Sequence, residues 1–221
     1  MEFGSWFRSL SAGDILLIIL VPLVIDFSRS IVKSLFLIYH AIISRMRPYQ
    51  FDPNYLPKIS LIIPAHNEAE SIERTIEAAI ESNYPNKEII VVDDGSTDGT
   101  FGKALPYQQK GQIKLIHREA ASGSKSGAIN FGMTISTGDI FYVIDADTLL
   151  EVGALREATK YFSIPSTVAV SGNLRILSGE GNVTNLLTRL QSYEYLLSLE
   201  MGRRFNSIMG LLLIISGAFG G

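Results

Sequence analysis

Three short apolar runs, each ending abruptly in a polar cluster, constrain this chain more than any other feature. Ile59–Pro64 (ISLIIP) leads into Ala65-His66-Asn67-Glu68. Glu88–Val92 (EIIVV) leads into Asp93-Asp94-Gly95-Ser96-Thr97-Asp98-Gly99-Thr100, and Ile140–Ile144 into Asp145-Ala146-Asp147-Thr148. The first two, continuous and rich in isoleucine and valine, suit strands buried on both faces of a parallel sheet, and Ile140–Ile144 is a further strand candidate. Between the first two, Ser71–Ser82 sets Ile72, Ile76, Ala79 and Ile80 on one helical stripe, with Asn67 or Ser71 available as its N-cap. Lys125–Ile135 and Ala154–Phe162 read as further helices, and Ile113–Ile116 and Val168–Leu177 as further strands. The alternating order predicts an α/β fold, a mostly parallel sheet flanked by helices, with ligands gathered at the C-terminal strand ends.

The N-terminal part is of another kind. Ile15–Ile25 is an unbroken apolar run, and after Asp26, Arg29 and Lys33 the apolar character returns and lasts to Ile43. The first run alone is short of the ~20 residues a bilayer requires. A transmembrane helix over most of Ala12 to Phe36 is therefore expected, with Pro22 tolerated inside it. Arg45, Arg47 and Lys58 follow it, which by the positive-inside rule puts the rest of the chain in the cytoplasm. A cleaved signal peptide fits poorly, because no cationic start or small-residue cleavage site is present. An interfacial helix stays open, since three charges fall within Asp26–Lys33. The expected domains are a membrane anchor over 1–47, a proline-rich linker over 48–57 and an α/β domain over 58–221. A long amphipathic helix is expected from Asn182 to Asn206.

Composition excludes several functions. Cysteine is absent, so disulfides, thiolate metal sites and a cysteine nucleophile are ruled out. A net charge of −3 with no basic run gives no attraction to nucleic acid, which is not an expected partner.

The polar clusters carry the chemistry. Asp145 and Asp147, two residues apart just beyond a strand, offer hard oxygen ligands to Mg²⁺ or Mn²⁺. Such a cation would neutralise charge on a departing nucleoside diphosphate. Alone, D-x-D is a common solvated turn. The Asp94–Asp98 stretch loosely matches the start of an EF-hand loop, but Leu105 falls where the bidentate glutamate belongs, so that reading fails. Asp, Gly, Ser and Thr also favour plain turns there. Gly123-Ser124-Lys125-Ser126 lacks the register of a P-loop, although a lysine opening a helix can meet a phosphate. His40, His66 and His117 are too scattered to suggest a metal cluster.

Taken together, PAHNE at 64–68, VVDDGSTDGT at 91–100, KSGAINFG at 125–132, DADT at 145–148 and SGAFGG at 216–221 resemble glycosyltransferase family 2. The likeness is to its processive membrane branch, the cellulose, chitin, hyaluronan and poly-N-acetylglucosamine synthases. It implies a GT-A fold, a UDP-sugar donor, a divalent cation, a polysaccharide or lipid-linked acceptor and a membrane location. By position, Pro64, Ala65, Asn67 and Glu68, with one of the pair Asp93 and Asp94, would hold the uridine. Lys125 and Asn130 would contact base or phosphates, Asp145 would lie toward the nucleotide sugar, and Asp147 toward the metal. Gly172, Asn173 and Arg175 would line the donor site from a strand.

Family members continue past this segment to a further aspartate, the general base, and processive ones to a QxxRW motif. Neither falls within the 221 residues, so no catalytic base is expected in this chain, and a truncated domain is. The expected activity is inverting transfer of a sugar, N-acetylglucosamine, to a growing polysaccharide. One alternative is a polyprenyl-phosphate sugar transferase, against which Thr148-Leu149-Leu150 after DxD argues. Another is a donor-binding fragment without turnover.

Overall fold

A computed structural model of the chain describes residues 11–173, 190, 201–210 and 219–221. The chain divides into two compact units, residues 50–174 with 213–221, and residues 1–49 with 175–212. The break between residues 49 and 50 falls inside the proline-rich stretch read as a linker.

In the larger unit five strands, β1 (Ile59–Ala65), β2 (Lys87–Asp93), β3 (Lys114–His117), β4 (Ile140–Ile144) and β5 (Phe219–Gly220), form one sheet. Their order is β3-β2-β1-β4-β5. β1 pairs in parallel with β2 and β4, β3 in parallel with β2, and β5 antiparallel with β4. The helices of this unit are α2 (Ile72–Glu81), α3 (Thr100–Gln109), α4 (Lys125–Ile135) and α5 (Ala154–Thr159), the last continued by a 3₁₀ turn over Lys160–Ser163.

Every residue of the central strand β1 is buried, as expected of a strand covered on both faces. Strand alternation sends Leu61 and Ile63 into a cluster with Ile72, Ile76 and Ala79 of α2 and Leu155 of α5. Ile62 points the other way and packs with Ile90, Val92 and Ala128 of α4. The sheet is thus clamped between helices.

α4 and β4 occupy the predicted bounds, and β1, β2, β3 and α2 lie within a residue or so of theirs. Ser71 takes the N-cap position of α2 in a helical rather than extended conformation and makes no capping bond; its hydroxyl donates to the Glu68 carboxylate at 2.9 Å. The sequence pattern does not predict α3; Gly102 and Pro106 inside it mask the helical period. The strand expected over Val168–Leu177 is reduced, within the described residues, to a single antiparallel bridge from Ser171 to Gly220. Val170 and Gly221 exchange two backbone hydrogen bonds beside it, at 2.7 and 2.9 Å. The remainder of that stretch lies outside the described residues.

In the other unit, helix α1 (Ala12–Met46) is 35 residues long and opens on a capping box between Ser11 and Asp14. It runs ten residues past the expected end at Phe36. At about 1.5 Å per residue it exceeds the ~30 Å of a bilayer core. Its apolar side chains, Ile15, Ile18, Ile19, Leu20, Leu23 and Phe27 among them, are exposed around the helix. A soluble helix would bury one stripe. α6 (Gly202–Ile208) belongs to the same unit, where Phe205 meets Phe36 edge-on at 5.3 Å. The rest of the helix expected over Asn182–Asn206 lies mostly outside the described residues.

Candidate functional site

The chain leaves β1 for β2 on one side, whereas β4, entered after β3, is added on the other side of β1, so the direction of strand addition reverses between β1 and β4. Such a switch point opens a crevice beyond the strand ends, the usual ligand site of an open α/β sheet. A cleft of about 440 Å³ is found there. Its walls come from the end of β1 and the turn after it (Pro64, Ala65, His66, Glu68), from the segments after β2 (Asp94) and β4 (Asp145, Ala146, Asp147), and from the approach to α4 and its first turn (Ala121, Gly123, Ser124, Lys125, Ala128). That volume is in the range of small-molecule sites.

The loops are tied to one another. Asn67 adopts a left-handed φ of 57°, and its side-chain oxygen accepts the Thr97 amide at 2.9 Å. Its own amide donates to Ser96 Oγ at 2.9 Å. The Glu68 amide donates to Thr100 Oγ1 at 2.8 Å, and the Ala69 amide to Asp98 Oδ2 at 3.0 Å. Most of DDGSTDGT therefore braces the Asn67–Glu68 turn rather than presenting ligands. Gly95 has φ 71°, and a Cβ on it would sit 2.6 Å from the Ala121 amide nitrogen, so the 118–122 segment can close over the end of β2 only because residue 95 is glycine.

The two adjacent aspartates part company. Asp93 is fully buried, accepts the Ser96 amide at 3.1 Å and binds His117 Nδ1 at 2.8 Å. It does not line the cleft. Asp94 does. Its carboxylate accepts the Ser122 amide at 2.9 Å, the Ser122 hydroxyl at 2.6 Å and Arg118 Nη1 at 2.9 Å. Burial pushes its carboxyl up, but the Ser122 bonds, with the Arg118 and His66 charges, outweigh burial and hold it below the usual carboxylate value.

Across the cleft Lys125, the first residue of α4, forms an ion pair with Asp145. The helix start is fixed by the Ser124 hydroxyl, which accepts the Gly127 amide at 3.2 Å. Asp147 is exposed, and among the described residues it receives a 3.5 Å contact from the Thr148 hydroxyl. Among the described residues no three acidic or histidine side chains converge on one point. A cation here would have to draw on Asp145 and Asp147 and complete its shell with ligand and water oxygens, a donor set that suits Mg²⁺ or Mn²⁺.

Of the residues singled out in the sequence, Pro64, Ala65, Glu68, Asp94, Lys125, Asp145 and Asp147 share the cleft. Asn67 braces its rim, Asp93 lies beneath it, and Asn130 is exposed on α4 away from the lining. Gly172 donates its amide to the Phe219 carbonyl at 3.1 Å, against a ring that a Cβ would strike. Arg175 lies outside the described residues. Sequence reasoning missed His66 as a lining residue, and it missed Arg118 and Ser122. His66 sat inside a flagged motif, whereas the other two occupy a segment with no pattern of its own.

A mostly parallel sheet with this acidic crevice at its switch point defines the GT-A class of nucleotide-sugar transferases. The chain belongs to glycosyl transferase family 2, whose sequence profile matches residues 60–220. It is 30% identical over 176 residues to a hyaluronan synthase of Streptococcus pyogenes serotype M3, covering 77% of this chain and 41% of that protein. It is equally 30% identical over 162 residues to the poly-beta-1,6-N-acetyl-D-glucosamine synthase of Staphylococcus epidermidis, covering 73% and 38%. The chain thus spans about two fifths of the length of these curated relatives. Among solved structures it is similar to the mannosyltransferase PcManGT of Pyrobaculum calidifontis in complex with GDP-Man and Mn²⁺. The TM-score is 0.57 and the identity 29%, over 67% of this chain and 45% of that one.

Proposed function

We propose that the cleft binds the donor of a polysaccharide synthase, a UDP-sugar, and that the sugar transferred is N-acetylglucosamine. The observation that carries this reading is the convergence of Asp94, Asp145, Asp147 and Lys125, distant in sequence, on one crevice at the sheet's switch point. The resemblance of the motifs to the processive synthases supports uridine, and the similarity to a poly-N-acetylglucosamine synthase supports the sugar. Asp94, with Pro64, Ala65 and Glu68 around it, forms the nucleoside end. Lys125 and Asp145 form the diphosphate end, with Asp147 holding Mg²⁺ or Mn²⁺. A cation bound there supplies charge neutralisation to the departing diphosphate. The Lys125–Asp145 pair keeps the ammonium at the helix start, where it can add to that neutralisation. The acceptor is a growing polysaccharide. Residues 50–174 face the cytoplasm, a reading supported by Arg45, Arg47 and Lys58 around the end of α1.

Calorimetry on the full chain in detergent tests the donor site. UDP should bind at least about tenfold more tightly with Mn²⁺ than without, and Asp147→Ala should remove that difference while leaving the fold intact. Equal affinity with and without the metal in the unaltered chain would refute the cation's role. Tighter binding of GDP than of UDP would replace uridine by guanosine, the nucleoside of the nucleotide sugar bound to PcManGT. Labelled sugar recovered on lipid phosphate would replace the polysaccharide acceptor.

A further inference from the structure

The aspartate at the nucleoside end of the cleft does not stand alone. Asp94 Oδ1 accepts Arg118 Nη1 at 2.9 Å and the Ser122 amide at 3.0 Å, while Oδ2 accepts the same amide at 2.9 Å and the Ser122 hydroxyl at 2.6 Å. Arg118 is held as well. Its guanidinium lies over the Phe131 ring of α4 at 5.6 Å, and its backbone amide donates to the Asp93 carbonyl at 2.9 Å. The 118–122 segment therefore straps the end of β2, tucked against Gly95, and its guanidinium is pinned between a carboxylate and an aromatic face. Arg118 is not among the residues lining the cleft. His66 approaches Asp94 from the turn after β1, with Nδ1 at 2.8 Å from the main-chain carbonyl rather than the carboxylate. The neighbouring Asp93 faces His117, and Lys125 faces Asp145. Among the described residues Arg118 is the arginine bonded to the Asp94 carboxylate.

We propose that Arg118 is a positioning residue of the nucleotide cleft, which with Ser122 holds Asp94 as an oriented anion so that its remaining acceptor capacity meets an N–H donor of the nucleobase. An ionised carboxylate only accepts hydrogen bonds. It rewards a base that presents an imide N–H, as uracil does, and a protonated carboxyl would lose that preference. Arginine suits the task better than lysine, because a planar fork can bond an acid edge and stack on a ring at once. The inference rests on reading the cleft as a nucleotide site.

Two measurements on the full chain test it, one free of nucleotide. With Asp carboxyl carbons labelled with ¹³C, the Asp94 resonance should titrate at higher pH in Arg118→Gln than in the unaltered chain. Arg118→Lys should fall between them. UDP titrations from pH 4 to 8 should show Arg118→Gln binding roughly tenfold more weakly near pH 4 to 5 yet close to the unaltered chain at pH 8. The diphosphate titrates alike in all three chains and cancels in the comparison. An Asp94 titration unmoved by Arg118→Gln would overturn the proposal, whether or not UDP binds. An affinity loss equal at every pH would also overturn it, since a purely structural or directly liganding arginine would act that way. Failure of the unaltered chain to bind UDP would instead sink the donor reading and leave the carboxyl titration to decide the arginine's role.

Discussion

Glu88 sits near the start of β2, at the opposite end of the strand from the cleft, and gathers four bonds. It accepts Ser60 Oγ at 2.5 Å, the Thr137 amide at 2.6 Å, the Thr137 hydroxyl at 2.9 Å and Lys114 Nζ at 2.6 Å. Partial burial pushes its carboxyl up, but the bonds from Lys114, Ser60 and Thr137 outweigh that and hold it at about 2, below its ordinary 4.5. A carboxyl depressed by folding stabilises the native state above its unfolded value, and that stability is lost as pH falls through the folded one. Glu88→Gln should therefore cost about 1–3 kcal/mol near neutral pH. Urea titrations should show the gap from the unaltered chain closing between pH 4.5 and about 2. A gap independent of pH would mean the charge is not what the bonds stabilise. Gly95 governs the other end of the strand. Gly95→Ala must strain a positive φ and push away the Ala121 backbone. It should cost about 1–3 kcal/mol and weaken UDP binding, read by denaturation and calorimetry on the same preparation.

Among elements, α4 links packing to the site most directly. It opens on Lys125 in the cleft and lies against the sheet through Ala128 and Gly132. A Cβ on Gly132 would come within 2.7 Å of Ile62 Cγ2 and 3.3 Å of Val92 Cγ2. Gly132→Ala should lift the helix from β1 and β2 at a cost of about 1–3 kcal/mol, the range for an overpacked core. Because the helix carries Lys125, UDP affinity should fall with stability; unchanged affinity at reduced stability would show that the helix start moves independently of its middle. α4 is also legible in the sequence to its bounds, as is β4, an unbroken apolar run closed by the polar Asp145-Ala146-Asp147 cluster. α3 is not legible. It packs Thr100 and Ala104 inward but interrupts its pattern with Gly102 and Pro106, so tertiary contact rather than propensity makes it helical. The candidate site divides in the same way. Asp94, Lys125, Asp145 and Asp147 follow strand ends or open a helix, so position betrays them. Arg118 and Ser122 act through a loop whose path depends on Gly95, far back along the chain, and nothing near them in sequence announces it.

For the whole molecule, the open question the physics can decide is which way α1 crosses a bilayer. By length and composition the helix is long and apolar enough to span. Asp26, Arg29 and Lys33 interrupt it, a charge content that a helix lying along the interface also carries. Arg45 in its last turn and Arg47 just beyond favour a span whose C-terminal end is cytoplasmic. The absence of cysteine makes the test clean, because each introduced thiol is the only one in the chain. Gly13, near the start of α1, and Gln109, at the end of α3, are both exposed. In spheroplasts, Gly13→Cys should react with a membrane-impermeant maleimide without permeabilisation, and Gln109→Cys only after it. The reverse pattern would invert the orientation and place the cleft away from cytoplasmic nucleotide sugars. Protection of both sites until permeabilisation would mean that α1 lies along the inner surface, its charged middle at the headgroups, and that the donor domain is tethered to the membrane rather than anchored through it.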